Sequence, residues 1–176
     1  TAILAVAIVA RGHGLGFLST YKVVSGVGSW GLGASIRTRF DDNVYSAQTG
    51  GGRLNDTTFV ANSSAALATE LTDGSVWLGG PNLLAANGGN RARIYAPNPW
   101  QGGSSGSHFD EATFTRGGPG ALMTPSLSNG EVNRVIDALT LGPLRDMGWP
   151  VPVVVPPSPS PVPSVAPSVA PSVAPS

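Results

Sequence analysis

Two histidines are the side chains of this sequence with the clearest capacity for metal chemistry. His13 lies in the segment VARGHGLGF at residues 9–17, and His108 lies much later, in GSHFDEATF. Neutral imidazole is the commonest metal ligand that proteins use. Because the chain has no cysteine, a thiolate metal site and a disulfide framework are both excluded. The first question is therefore whether these two distant imidazoles belong to one metal site.

The local context of each histidine favours a metal site over a purely structural role. His13 follows an apolar run and precedes Gly14 and Gly16, which would let a helix end and the chain turn beneath a metal. His108 follows a run of Gly and Ser that could bring an imidazole to a site built elsewhere. Met123 comes later, beside a proline in ALMTPSL, and this pattern is typical of a turn.

An apolar helix is expected immediately before His13. The run TAILAVAIVA continues without a break into the histidine segment, which favours a buried helix over approximately residues 2–15. The alternative is the h-region of a signal peptide, although no basic segment precedes the run. The run is too short to span a membrane, so no membrane insertion is expected.

The remaining elements are predicted to be short. Gly and Pro are frequent, and residues 20–107 are expected to be mostly loop, with short strands at 57–60, 76–78 and 93–95. A first C-terminal helix is predicted from a cap at Ser128 or Asn129, with apolar residues at helical spacing. The apolar residues of that helix are Val132, Val135, Ile136 and Leu139.

A second short helix is predicted from Thr140, as its cap, to Met147. Pro143 would fall in the first turn of this helix, where a missing N–H is tolerated. Gly148 would end it. Together these elements predict an α+β fold that is rich in loops.

Composition divides the chain once, near residue 150. Residues 1–150 form the predicted domain, and residues 151–176 repeat Pro, Ser, Val and Ala, a pattern typical of a disordered linker or tail. Such a spacer would join the domain to a further module or to the cell surface. Only 11% of the residues are charged and the net charge is zero, so neither nucleic acid nor an anionic membrane is an expected partner.

Four motifs carry a resemblance to a known family. The segments GHGLGFLS, IYAPNPWQGGSSGSHFDE, ALMTPSL and LTLGPLRDMGWP occur in this order. They resemble secreted bacterial zinc metallopeptidases related to leishmanolysin, within the metzincins, over most of residues 3–152. The resemblance implies an N-terminally truncated metzincin-like catalytic domain, a zinc cofactor, a protein or peptide substrate, and a secreted or extracellular location.

The resemblance also implies roles for particular residues. In that family the motif HExxH places two zinc-binding histidines on one face of a helix, and its glutamate acts as base toward a water molecule that the metal activates. His13 matches the second zinc ligand and His108 the third. Gly16 matches the turn glycine, and Met123 matches the apolar floor below the metal. Two ligands of one tetrahedral zinc should have ring nitrogens roughly 3–4 Å apart.

The family motif is broken at its first two positions. Val9 stands where the first histidine ligand is expected, and Ala10 stands where the general base is expected. Valine cannot bind zinc, and the loss of a general base typically costs about 10²–10⁴ in rate. Asp110 or Glu111 would have to supply a replacement carboxylate ligand. The chain is therefore expected to be inactive or impaired as a peptidase.

Two explanations of the broken motif remain open. The chain is either a secreted non-catalytic binding module, that is, a pseudoenzyme on a Pro-rich spacer, or the product of a compensated frameshift around residues 9–12. The codons GCA-CGA-GGN for Ala-Arg-Gly contain CAC-GAG, which encodes His-Glu in another frame. Nucleotide sequence across this region distinguishes the two explanations.

Overall fold

Short helices and two small antiparallel sheets make up the described part of the chain. This computed structural model describes residues 9–127, 131, 133 and 136–151. Its helices are α1 (9–14), α2 (Ala65–Thr72), α3 (Pro81–Ala86) and α4 (Ala138–Asp146). Its strands are β1 (Lys22–Val24), β2 (Val27–Ser29), β3 (Val44–Tyr45), β4 (Trp77–Leu78) and β5 (Ala92–Arg93). The mixed helix and strand content expected from the sequence is confirmed.

The first sheet is a hairpin that packs on α2. Strands β1 and β2 pair antiparallel through a two-residue turn in which Ser25 and Gly26 both have positive φ. Gly28 of β2 lies so close to α2 that a Cβ there would come within 2.4 Å of the Ala68 backbone nitrogen. Ser64 begins α2 as its N-cap, because its hydroxyl accepts the Leu67 N–H at 3.0 Å.

Helices α3 and α4 form a second packed unit. The carboxylate of Asp146, at the end of α4, accepts the backbone N–H groups of Asn82 and Leu83 at 2.9 and 3.0 Å, and so caps the start of α3. The helices approach closely at Gly142, where a Cβ would meet the Leu83 backbone. The C-terminal helix is thereby fixed to the middle of the chain.

A cluster of phenylalanines connects the two segments that carry the histidines. Phe17, four residues after His13, contacts Phe109, which directly follows His108, with ring centroids 5.2 Å apart in an edge-to-face arrangement. Phe17 also contacts Phe40 at 5.0 Å. All three phenylalanines are fully buried. The hydrophobic core therefore brings the histidine segments together.

Some predicted elements differ from the structure. Residues 57–60 form turns and no strand, because the Asp56 carboxylate accepts the Thr58 N–H at 2.9 Å and competes with strand pairing. Strands β4 and β5 overlap the predicted strands at 76–78 and 93–95, but are shorter. Helices α2 and α3 lie within the region predicted to be mostly loop.

The C-terminal helix also differs from its prediction. Its N-cap is Asp137, whose carboxylate accepts the Thr140 N–H at 2.8 Å, so Thr140 lies inside the helix rather than capping it. Pro143 consequently lies within α4 and not in its first turn. Gly148 follows the helix with φ 101°, as expected for the residue that ends it.

Several expectations fall partly or wholly outside the described residues. Of the predicted helix at 2–15, residues 9–14 are helical and residues 2–8 are outside the description. The helix predicted from Ser128 or Asn129 is not seen where its residues are described, because residues 131, 133 and 136 are not helical and Leu139 belongs to α4. The capping residues, Val132 and Val135 lie outside the description. The predicted Pro-rich tail at 151–176 is outside it except for Val151. Among the described residues, no helix has the length and apolar character needed to cross a membrane.

Candidate functional site

Helix α1 ends in a tight turn directly after His13. The Gly16 N–H donates to the His13 carbonyl at 2.9 Å, and the Phe17 N–H donates to the Gly12 carbonyl at 3.0 Å. This pair of bonds is the Schellman motif, which requires a left-handed residue at its turn. Gly16 supplies that residue with φ 98°, as its sequence position predicted.

The segment around His108 pairs with the chain next to β5 through a single antiparallel bridge. The Tyr95 N–H donates to the His108 carbonyl at 2.9 Å, and the Asp110 N–H donates to the Arg93 carbonyl at 3.0 Å. Between them, Ile94 and Phe109 form an antiparallel bridge. Because side chains alternate along a strand, Phe109 enters the core while its neighbour His108 projects the other way.

The two imidazoles meet directly. The Nε2 atoms of His13 and His108 lie 3.2 Å apart, within the 3–4 Å range expected from the sequence. The ring centroids are 4.7 Å apart and the planes are inclined at 74°. Two residues separated by most of the chain therefore direct the same ring atom to one point.

The second nitrogen of each ring fixes the tautomer. His13 Nδ1 lies 2.6 Å from the Phe17 carbonyl oxygen, and His108 Nδ1 lies 2.8 Å from the Ser104 carbonyl oxygen. A carbonyl oxygen can only accept, so each Nδ1 must carry the hydrogen. In the neutral rings both Nε2 atoms then present lone pairs to each other. Metal-binding histidines usually donate their second ring N–H to an outer partner of this kind, which fixes the orientation of the ring.

Two facing lone pairs repel each other unless a proton or a metal ion lies between them. Burial lowers the pKa of His108, and the neighbouring His13 lowers it further, while the bond to the Ser104 carbonyl acts in the opposite direction. Burial therefore disfavours relief of the contact by protonation of His108. A metal ion that accepts both lone pairs relieves it without protonating either ring.

Met123 lies beneath the histidine helix. Its side chain is fully buried, and a Cβ added at Gly12 would lie 3.0 Å from its sulfur, so Met123 packs directly against α1. The Met123 carbonyl accepts the Phe109 N–H at 2.8 Å, which joins the methionine turn to the His108 segment. Met123 thus contacts both histidine-bearing segments, at the position where the resemblance implies a floor.

The imidazoles open into a cleft of about 340 Å³. Its described lining residues are Val9, Ala10, His13, His108, Thr124, Pro125, Ser126 and Leu127. Val9 precedes His13 by four residues, which places both side chains on one face of α1. The two positions at which the family motif is broken therefore line the same cleft as the imidazoles.

Among the described residues, no replacement carboxylate joins the two imidazoles. Asp110 accepts hydrogen bonds from Thr113 and lies 3.9 Å from the Arg93 guanidinium, while Glu111 accepts the Ser126 hydroxyl at 2.6 Å. Within the part of the chain that the structure describes, no group of three or more His, Asp and Glu side chains is placed to hold one metal ion. Among the described residues, the two imidazoles therefore have no third His, Asp or Glu side chain beside them that could complete a metal site.

A serine pair ties the two histidine segments together. The Ser19 N–H, beyond the end of α1, donates to the Ser107 hydroxyl oxygen at 3.0 Å. Ser107 is buried, and the segment next to Ser19 is anchored in turn by the buried carboxylate of Asp41, which accepts the Thr20 N–H at 3.1 Å. Burial raises the pKa of Asp41, and hydrogen bonds from Thr20 oppose the increase. Sequence patterns carried no signal for this pairing.

If the imidazole pair binds zinc, Ser107→Ala should weaken that binding by about 10- to 100-fold, because the hydrogen bond that joins the two histidine segments is lost. The matched control is Ser105→Ala. Ser105 is also buried, but its hydroxyl accepts the Gln101 N–H at 3.0 Å within the same loop. Titration calorimetry with zinc should show the larger loss for Ser107→Ala. Equal losses in both variants would contradict a positioning role for Ser107.

The C-terminal motif LTLGPLRDMGWP packs against the turn that follows α1. The Trp149 indole N–H donates to the Leu15 carbonyl at 2.7 Å, and Met147 packs near Gly16. The segment GHGLGFLS therefore contacts each of the other three motifs.

Comparison of the chain with protein-family models, with curated proteins and with solved structures found no match.

Proposed function

We propose that this chain is a zinc-metallopeptidase-like domain of metzincin type that binds metal and peptide but does not hydrolyse peptides efficiently. The observation that carries the proposal is the 3.2 Å approach of the His13 and His108 Nε2 atoms, with both Nδ1 atoms bonded to carbonyl oxygens. The cleft beside the imidazoles gives a peptide access to that point. Descent from an active peptidase would explain the order of the four motifs. A role in binding alone would explain why the histidine and glutamate of HExxH are replaced by Val9 and Ala10.

Two of the three protein ligands that the resemblance implies for zinc are present, and the third is missing. For zinc–nitrogen bonds of 2.0–2.1 Å, two ligands of a tetrahedral ion lie about 3.3 Å apart, and the observed separation is 3.2 Å. Val9, at the family's first-ligand position, has no donor atom. When bound, the ion would supply Lewis acidity. Its affinity should be lower than that of a complete three-histidine site.

The chain lacks the group that would remove a proton during hydrolysis. Ala10 occupies the base position, and none of the described residues that line the cleft is acidic. The loss of a general base costs about 10²–10⁴ in rate, before any effect of weaker metal binding. Peptide binding without efficient turnover is the expected behaviour.

Several finer features of the proposal come from the resemblance. The order of histidine helix, third-ligand loop, methionine turn and C-terminal helix supports a metzincin-like arrangement of this mixed fold. The same resemblance, together with the Pro-rich segment after residue 150, supports a secreted domain displayed on a spacer.

Two measurements on the purified chain test the proposed function. Calorimetric titration should detect stoichiometric but weak zinc binding. Hydrolysis of casein or of a quenched fluorescent peptide should stay near background when zinc is added. Robust turnover that a chelator abolishes would contradict the loss of activity, and the absence of zinc binding would contradict the metal site.

A further inference from the structure

Four side chains form a row across the outer face of the three-stranded sheet. Tyr45 pairs with Trp77, and Trp77 pairs with Arg93. Arg53 extends the row through a bridge to Tyr45. Directly paired residues of antiparallel strands have their side chains on one face, so the row spans about 14 Å across four neighbouring segments. The alternate residues of the three strands are fully buried on the opposite face: Val44, Leu78 and Ala92.

Two guanidinium groups meet at the Tyr45 end of the row. Arg91 Cζ lies 3.5 Å from the centre of the Tyr45 ring, and Arg53 Cζ lies 5.8 Å from it. The ion pairs found among the described residues involve Arg37 and Arg93. Neither Arg53 nor Arg91 forms an ion pair with any described carboxylate. Two positive charges without a carboxylate partner favour an anionic ligand at this end.

The two guanidinium groups differ in how they are held. Arg91 Nη1 donates to the carbonyl oxygens of Ala47 and Gly50 at 2.7 and 2.6 Å, which fixes this side chain against the loop before Arg53. Arg53 is exposed, and its Nε donates to the Tyr45 hydroxyl at 3.2 Å. The terminal nitrogens of Arg53 meet no acceptor in the described part of the chain, so its planar fork can receive a carboxylate or sulfate group.

The opposite end of the row borders a polar cavity of about 240 Å³. Arg93 lines this cavity and lies 3.9 Å from the carboxylate of Asp110, which also lines it. Asp73, Tyr95 and Asn98 add further polar groups. Carboxylate, amide and phenol oxygens accept hydrogen bonds from hydroxyl groups. This end therefore suits an uncharged part of a ligand that is rich in hydroxyls.

Trp77 lies between the two ends and is half-buried. The Arg93 Cζ atom lies 6.0 Å from the centre of the Trp77 ring. The face of an aromatic ring has negative character and attracts weakly positive C–H groups that are stacked on it. A sugar ring offers such a C–H face together with hydroxyls at its rim.

The geometry favours a saccharide over two other anionic partners. Duplex nucleic acid carries a negative charge about every 1.7 Å along its axis, and three arginines in a chain of zero net charge do not match that density. An extended peptide binds through the backbone groups of a sheet edge, whereas this row presents side chains on a sheet face.

We propose that this sheet face binds a short acidic saccharide. The acidic group binds Arg53 and Arg91, a sugar ring stacks on Trp77, and hydroxyl groups reach the cavity beside Asp110. Carboxylate and sulfate groups share the chemistry of the charged end, and the experiment distinguishes them. The inference goes beyond the proposed function and does not depend on metal at the two histidines.

Calorimetry with the full chain compares four probes. They are the trimer of galacturonic acid, the methyl ester of that trimer, a sulfated cellotriose and a single-stranded oligothymidylate. The acid trimer should bind about tenfold or more tightly than its uncharged ester, because the ester cannot form the charge-assisted hydrogen bonds. Tighter binding of the sulfated probe than of the acid trimer supports the same site and assigns its anion as sulfate.

Three results with these probes would overturn the proposal. The first is binding of the ester as tight as that of both charged saccharides, and the second is tighter binding of the oligothymidylate than of any saccharide. The third is the absence of binding by all the saccharides.

Matched variants test the two parts of the site separately. Arg53→Gln should weaken binding of the acid trimer about tenfold and leave binding of the ester unchanged. Trp77→Leu should weaken binding of both about three- to tenfold, because the stacking face is lost. The control Lys22→Gln removes one positive charge from β1, in the other sheet, and should leave binding unchanged. Equal losses in Lys22→Gln and Arg53→Gln, with both variants folded by thermal unfolding, would indicate nonspecific charge attraction and overturn the site.

Discussion

Replacing Val9 by His together with Ala10 by Glu should create a zinc-dependent peptidase. Val9 lines the same cleft as both imidazoles and precedes His13 by one helical turn, so a histidine there would direct a third nitrogen to the same point. The glutamate beside it would restore the base. Hydrolysis of a quenched peptide with added zinc should rise by about 10²-fold or more over the unmodified chain.

The single variants separate the two contributions to this expected activity. Val9→His alone should raise zinc affinity with little gain in turnover, since the base is still missing. Ala10→Glu alone should leave zinc weakly bound. Val9→His with Ala10→Gln is the matched control, because glutamine has the shape of glutamate without its basicity. Turnover in that control equal to turnover in the Glu variant would contradict general-base catalysis by this position.

Substituting either histidine by glutamine should abolish measurable zinc binding. His13→Gln or His108→Gln leaves a single imidazole, and one neutral donor in the described site cannot hold the ion. We expect affinity to fall by about 100-fold or more in each variant, judged by calorimetry. The double variant should be no worse than either single one, because the two rings act as a unit.

The stability of the metal-free variants tests the electrostatic interpretation of the imidazole pair. In the unmodified chain the two Nε2 lone pairs oppose each other at 3.2 Å, whereas a glutamine amide can donate a hydrogen bond to the remaining ring. Thermal unfolding of metal-free His108→Gln should therefore show at most the loss of the His108 Nδ1 hydrogen bond to the Ser104 carbonyl, about 0.5–1.5 kcal/mol. A large loss without metal would indicate that the pair is mainly a structural hydrogen bond.

Local signals in the sequence determined the ends of the two helices at the site. Gly16 and Gly148 both adopt positive φ after a helix, with φ of 98° and 101°. A glycine's freedom to adopt this conformation belongs to the residue itself, so its position in the sequence is enough to predict the turn. The identities of His13 and His108 as the candidate donors also followed directly, because the chain offers no other imidazole and no thiol.

Helices α2 and α3 show where local signals were too weak. Each is short, with eight and six residues, and isolated helices of that length are not stable on their own. Their stability comes from tertiary contacts, namely the hairpin that packs on α2 at Gly28 and the Asp146 carboxylate that caps α3. Such partners lie far away in the sequence and leave no periodic pattern.

The tertiary structure alone decided that the two imidazoles form a pair with their Nε2 atoms facing each other. That geometry depends on the packing of Phe17 on Phe109 and on the bond from Ser19 to Ser107, contacts between segments about ninety residues apart. The tautomers depend on carbonyl groups whose directions are set by the surrounding turns. The sequence determined which donors are available, whereas folding determined the distance between them, because that distance arises from contacts between distant segments.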